Sequence, residues 1–304
     1  MTGSTLPPEP SSHDKTEATE QPLQRQRTSD TALPVFERWI KKWNLLRDGA
    51  PIVTPGSFLL PVRINNIAAM LKIAQDEHEI RGCELMAWWN GDGAAQVLAR
   101  SDNAIVMERA EGTQSLMQMA LHGCDDEASR IACGTIARLH AHAASATRLP
   151  TLVPLQAWFK ELGSAAQENL LLAKSDAAAR HLLAKPQDIT ILHGDIHHDN
   201  ILDFDQRGWL AIDPKGLHGE RGFDYANLIV NPDLPTVTDP VRFERQVHVI
   251  AQAAQLPPQR LLYWVLAFAG LSAVWFEQDG DTRGARQDLT VARLAAQSLS
   301  ISHT

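Results

Sequence analysis

Residues Ile191–Phe204 read ILHGDIHHDNILDF, and the rest of the chain is best understood outward from them. An apolar run enters at Thr190–Leu192, a polar loop turns through His193-Gly194-Asp195, and a second apolar run leaves at Ile201–Phe204. Inside the loop Asp195 and Asn200 stand in an Asp-x4-Asn spacing. A third extended run, Trp209–Ile212, delivers Asp213 at its end within IDPKG. Moving a phosphoryl group from ATP to a hydroxyl needs a carboxylate to orient and deprotonate the attacking oxygen. It also needs oxygen ligands for the magnesium that bridges the phosphates. Magnesium keeps several of its waters, so one Asn and one Asp suffice from the protein. Asp195 is thus the expected base, and Asn200 and Asp213 the expected metal ligands, all at strand ends where a rigid scaffold can place them. The alternative of a zinc site at His193, His197 and His198 lacks a Cys, a further His or an HExxH partner. His193 is expected instead to bond backbone within the loop.

Upstream, Lys72 in Ala68–Ile73 (AAMLKI) is the one basic residue of an apolar strand. A buried ammonium requires anionic partners, and ATP phosphates together with a helix carboxylate would supply them. Glu79, early in the next helix, is the first choice of partner and Glu84 the second. The strand belongs to a predicted hairpin, Ser57–Ile64 and Ile67–Ile73 around Asn65-Asn66, because Asn tolerates the left-handed backbone of a tight turn. A helix is expected over Val35–Leu46 and another over Glu77–Trp89, ended by Asn90-Gly91-Asp92-Gly93. Short strands fit Ala94–Ala99 and Ala104–Met107. The connector Met107–Gly112 then reads as a hinge whose backbone at Glu108 and Ala110 would face the adenine ring. Gly56-Ser57-Phe58 is all that offers a phosphate-covering turn, without a GxGxxG or Walker pattern. Downstream the chain is mostly helical: Ala128–Ala143, Gln156–Leu183, two helices around Leu256-Pro257-Pro258, and Arg283–Leu299.

These patterns give an α+β chain with a disordered tail at 1–30, a small β-rich lobe at 31–112 and a larger helical lobe at 113–304. The tail is rich in Ser, Thr, Pro, Gln and Glu and has too few large apolar side chains to offset its ordering entropy. Across all 304 residues, 36 acidic side chains outweigh 28 basic ones, for a net charge of −8. That balance argues against nucleic acid and for a cationic partner, with a solvated acidic surface as the alternative reading. Three cysteines without a CxxC pair argue against a disulfide framework or a thiolate zinc site, and fit a reduced, cytoplasmic protein. No uninterrupted apolar run reaches the roughly 18 residues of a membrane span, and the N-terminus lacks a secretory signal.

Four stretches, taken together and in order, resemble the aminoglycoside/hydroxyurea antibiotic resistance kinases, a group that includes streptomycin 6-phosphotransferases. They are EIRGCELMAWWNGDGAAQVL (Glu79–Leu98), LHGDIHHDNIL (Leu192–Leu202), WLAIDPKGLHGERGFDYANLI (Trp209–Ile229) and LSAVW (Leu271–Trp275). The resemblance covers most of residues 50 to 300 and implies a two-lobed, protein-kinase-like fold. It implies Asp195 as base, Asn200 and Asp213 on Mg2+, and Lys72 on the ATP phosphates with Glu79 as its helix partner. It also implies an acidic face for a cationic aminocyclitol, for which Glu220, Asp224, Glu277 and Asp279 are the candidates. The expected function is therefore ATP-dependent phosphorylation of an antibiotic hydroxyl, with streptomycin as the leading acceptor. Alternatives are a sugar or amino-alcohol kinase and a nucleotide-binding pseudokinase. The pseudokinase reading sits poorly with a complete base-and-metal set, and no activation segment of the protein-kinase type follows Asp213. The acceptor hydroxyl, ATP against GTP, the oligomeric state and the role of Lys215 stay open at this level.

Overall fold

The computed structural model describes residues 33–145, 150–167, 169–232 and 236–301; the expected tail at 1–30 lies outside them. Helix α1 (Leu33–Trp43) leads into strands β1 (Leu46–Arg47), β2 (Ile52–Val53), β3 (Ser57–Ile64) and β4 (Ile67–Ala74). Helix α2 (Glu77–Trp89) then precedes β5 (Val97–Ser101) and β6 (Ala104–Glu108). These strands form one antiparallel sheet in the order β1-β3-β4-β6-β5, with β2 paired to β3. Asn65 and Asn66 take the positive φ values, 50° and 66°, that close the β3–β4 hairpin. Phe36 and Trp39 of α1 pack on Leu60, Val62, Leu71 and Ile73 from the sheet, giving this half its own apolar core.

The larger half holds α3 (Leu116–Leu121), α4 (Asp125–Ser145), β7 (Val153–Pro154), α5 (Leu155–Trp158), α6 (Lys160–Ala165) and α7 (Leu170–Ala184). It continues with β8 (Ile189–Leu192), β9 (Ile201–Asp203), β10 (Trp209–Ala211), β11 (Leu217–Glu220) and α8 (Gly222–Ile229). Last come α9 (Pro240–Ala254), α10 (Pro258–Gln278) and α11 (Thr282–Ile301). Strands β9 and β10 pair antiparallel and follow the polar loop at 193–200, while β8, which precedes it, pairs with β11. Helix α10 is long and apolar enough to cross a membrane by length and composition, but 67% of its most apolar window is buried. It packs against α7, α8 and α11 as the central helix of this half.

Three boundaries differ from the sequence expectation, each for a local reason. Helix α1 stops at Trp43 because Asn44 turns left-handed at φ 49°, and Leu46 joins β1 instead. The strand expected at Ala94 begins at Val97, since Ala94 bridges Ala211 and the Ala95 N–H donates to the Ala211 carbonyl at 2.9 Å. The single helix expected over Gln156–Leu183 is three helices, with Asn169 capping the last by accepting from the Leu171 N–H at 2.8 Å.

Candidate active site

Lys72 is placed by β4 with its side chain turned under the sheet, and only 6% of that side chain is exposed. Its ammonium meets Glu79 Oε2 at 2.5 Å and also pairs with Asp213. Burial alone would lower the lysine's pKa, but the two carboxylates outweigh it and hold the group above its ordinary value. Glu79 sits in the first turn of α2, where its N–H is capped by Asp76 Oδ1 at 2.9 Å. Burial pushes its carboxyl up, yet the ammonium groups of Lys72 and Lys215 bring it well below the usual range. Ser57 Oγ donates to Glu79 Oε2 at 2.9 Å, so the glycine-containing turn before β3 is tied to the same carboxylate. Glu84, the second choice as lysine partner, is instead bonded to Arg100 at 2.7 Å.

The loop between β8 and β9 carries Asp195 and Asn200. Fully buried His193 holds it from inside: Nε2 donates to the Ile212 carbonyl at 2.8 Å, and Nδ1 accepts the Asp195 N–H at 3.2 Å. Burial lowers the His193 pKa, which suits a neutral ring with one donor and one acceptor. The Asn200 Nδ2 amide donates to the Asp195 carbonyl at 2.8 Å, which leaves Oδ1 as the atom for a cation. Asp213 follows β10 with φ 60°, a strained value for a residue with a side chain. Lys215, two residues on, donates to Glu79 Oε1 at 2.9 Å and lies 3.8 Å from Asp195 and 4.0 Å from Asp213. Two ammonium groups facing three carboxylates leave one net negative charge, and the donors beside it are hard oxygens. That set fits a magnesium ion with mostly water ligands.

Two clefts meet here. One, of about 630 Å3, is lined by Thr54–Ser57, Lys72, Met107–Ala110, Leu202, Asn200 and Asp213. Glu108 and Ala110, whose backbone is expected to face an adenine ring, both line this cleft, while the Glu108 side chain accepts from the Gln96 N–H at 2.7 Å and pairs with Arg207. The other, of about 550 Å3, runs from Gly194, Asp195 and Lys215 to Trp158, Glu161, Trp275 and Gln278. Trp158 and Trp275 meet edge to face at 5.4 Å, and Glu161 Oε2 accepts the Trp275 indole N–H at 2.9 Å.

The expected acidic face needs correction. Glu220, 2% exposed, is consumed by Arg260, by the Trp264 indole at 2.8 Å and by the Gln187 N–H at 2.9 Å. Asp224, 1% exposed, accepts from the His193 and Gly194 N–H groups at 3.0 and 2.9 Å and bonds His140 at 2.8 Å, so it braces the loop that carries Asp195 from behind. Both carboxylates are interior because backbone donors and cations there need them. Glu277 and Asp279 are exposed at the end of α10 and do not line the second cleft, although Trp275 and Gln278 do. Sequence reasoning missed Glu161 and Trp158, which lie on short helices without a motif. An aspartate inside the apolar run GFDYANLI was the available signal for the bracing role of Asp224.

The model of the family described as aminoglycoside/hydroxyurea antibiotic resistance kinase matches residues 42–280. The chain belongs to that family. It is accordingly a phosphotransferase that uses an alcohol group as acceptor. Among its relatives, a streptomycin 3''-kinase of Klebsiella pneumoniae is 47% identical over 86% of this chain and 100% of that protein. A streptomycin 6-kinase of Streptomyces griseus is 28% identical over 86% of this chain and 88% of that protein. The fold is shared with amicoumacin kinase solved with AMP-PNP, Ca2+ and Ami, at TM-score 0.61 and 13% identity over 90% of this chain and 96% of that one. The resistance-kinase fold is thus the two-lobed α+β arrangement expected from the sequence.

Proposed function

We propose that this chain transfers the γ-phosphoryl group of Mg-ATP to the 3'' hydroxyl of streptomycin. The observation that carries this reading is the 47% identity to a streptomycin 3''-kinase along that relative's whole length. The geometry supports it from the other direction, since Asp195 stands at the mouth of a cleft suited to a cationic acceptor. The cleft's two indole rings and the Glu161 carboxylate can hold guanidinium groups through stacking and charge-assisted hydrogen bonds. In the proposed mechanism Asp195 aligns the acceptor O–H and takes its proton as the oxygen attacks phosphorus. Lys72 holds the phosphates of the nucleotide, and the backbone at Glu108 and Ala110 holds the base. Asn200 and Asp213 would bind magnesium, which neutralises phosphate charge when present. The reading also puts the enzyme in the cytoplasm, with its ATP supply.

Turnover of purified protein with Mg-ATP, offered streptomycin, other aminoglycosides, hydroxyurea and simple polyols, tests the reading. The expected product is streptomycin carrying phosphate at the 3'' position, located by phosphorus–proton NMR correlation. Phosphate at the 6 position would move the assignment to the other relative's chemistry. Transfer only to a polyol would replace streptomycin as the substrate.

A further inference from the structure

Lys215 stands where the two clefts meet. Of the three residues that line both, His78, Trp158 and Lys215, it is the one with a permanent charge at neutral pH. Its place is set by backbone: the Lys215 N–H donates to the His193 carbonyl at 2.7 Å, and Gly216 turns the chain away at φ 70°. Its ammonium lies within 4.0 Å of both Asp195 and Asp213. One of these carboxylates serves the acceptor oxygen and the other serves the metal on the phosphates, so a cation between them lies over the path of the transferred group. Glu79 gives each lysine its own oxygen, Oε2 to Lys72 and Oε1 to Lys215. Lys72 lines the nucleotide cleft and not the acceptor cleft.

We infer that Lys215 is a catalytic residue whose ammonium contacts the γ-phosphoryl group during its passage to the acceptor. The inference rests on the phosphotransfer reading above. In the step, the acceptor oxygen bonds to phosphorus while the bond from phosphorus to the β–γ bridging oxygen breaks. That electron pair leaves with ADP, and the acceptor proton passes to Asp195. Lys215 keeps its proton throughout and offsets charge spread over the three equatorial oxygens. A cation placed at the transit point contributes more to the transition state than to nucleotide binding, and so acts on kcat.

The test compares Lys215→Met, Lys215→Arg and Lys72→Met in the full-length protein. Three quantities are read: kcat with the acceptor the parent uses, the Kd of Mg-ADP, and formation of the Mg-ADP–aluminium fluoride complex with acceptor bound. Lys215→Met is expected to lower kcat by about 100-fold or more, to leave the Mg-ADP Kd within about threefold, and to lose the fluoride complex. Lys215→Arg, which keeps the cation, should recover much of the rate. A Mg-ADP Kd that weakens in step with kcat, as for Lys72→Met, would show that Lys215 works only through Glu79 and would overturn the inference. So would a kcat within threefold of the parent. A parent that transfers phosphate to a different alcohol displaces the streptomycin reading and leaves this comparison intact on that alcohol. A parent with no transfer to any acceptor overturns both.

Discussion

The nucleotide cleft is walled by strands and by the backbone of the β6 connector, and its charges are locked to one another. Lys72 and Glu79 are both buried, and Asp213 and Lys215 complete the cluster. The acceptor cleft is walled by side chains from α5, α6 and the end of α10, and its carboxylate, Glu161, stands in solvent. On the proposed reading, one cleft is dictated by a nucleotide whose phosphates always need the same counter-charges. The other is a set of side chains on helix ends, where substitution disturbs little else. The contrast teaches that, on the proposed reading, activity and acceptor choice reside on separable surfaces, which share His78, Trp158 and Lys215 as lining residues.

Asp195, the proposed base, lines the acceptor cleft 3.8 Å from Lys215, which lines both clefts, so its loss should have the largest effect. Asp195→Ala is expected to lower kcat by at least about 1,000-fold while Mg-ATP affinity, read by calorimetry, changes little. Strong residual turnover would remove the base from the scheme. Lys72→Met should strike one side alone, weakening Mg-ATP binding by about 10- to 100-fold with the acceptor KM unmoved. An unchanged nucleotide Kd would mean that the buried ion pair is structural. Glu161→Gln should strike the other side, raising the acceptor KM about 5- to 10-fold at constant nucleotide affinity. Parallel changes in both constants would contradict the separation.

The smallest expected effect falls on neither cleft. His198, buried in the loop between β8 and β9 with both ring nitrogens unpartnered, has its pKa pushed down by burial from 6.5 to about 4. As pH falls below 6.5 the unfolded chain takes up this proton before the folded one does. The stability is therefore complete above that value and is lost toward pH 4. About 1 kcal/mol should disappear between roughly pH 6.5 and 5.5. Thermal melts of the parent should show a steeper acid slope than those of His198→Leu, and equal slopes would assign the acid loss elsewhere.

Much of the nucleotide side was legible in the residues because its chemistry demands particular types at strand ends. A lysine inside AAMLKI and an aspartate closing WLAID each stand out against apolar neighbours. The acceptor side was not legible. Glu220 looks like a surface acid in a linear reading, and for Asp224 only its apolar neighbours hint otherwise; the three-dimensional arrangement shows that Arg260, Trp264 and the loop N–H groups have claimed them. Conversely Trp158 and Glu161 meet Trp275 across more than a hundred residues of chain, and no local pattern announces such a meeting. The breaks in Gln156–Leu183 escaped notice because helix-compatible residues run through them, and a capping asparagine is a weak mark beside an apolar period.

Gly82 has a role beyond flexibility. A Cβ built there would stand 2.1 Å from the Pro214 carbonyl oxygen, so the backbone of α2 rests directly on the segment that carries Asp213 and Lys215. Any side chain at position 82 would have to wedge the helix off that segment and draw Glu79 away from the two lysines it joins.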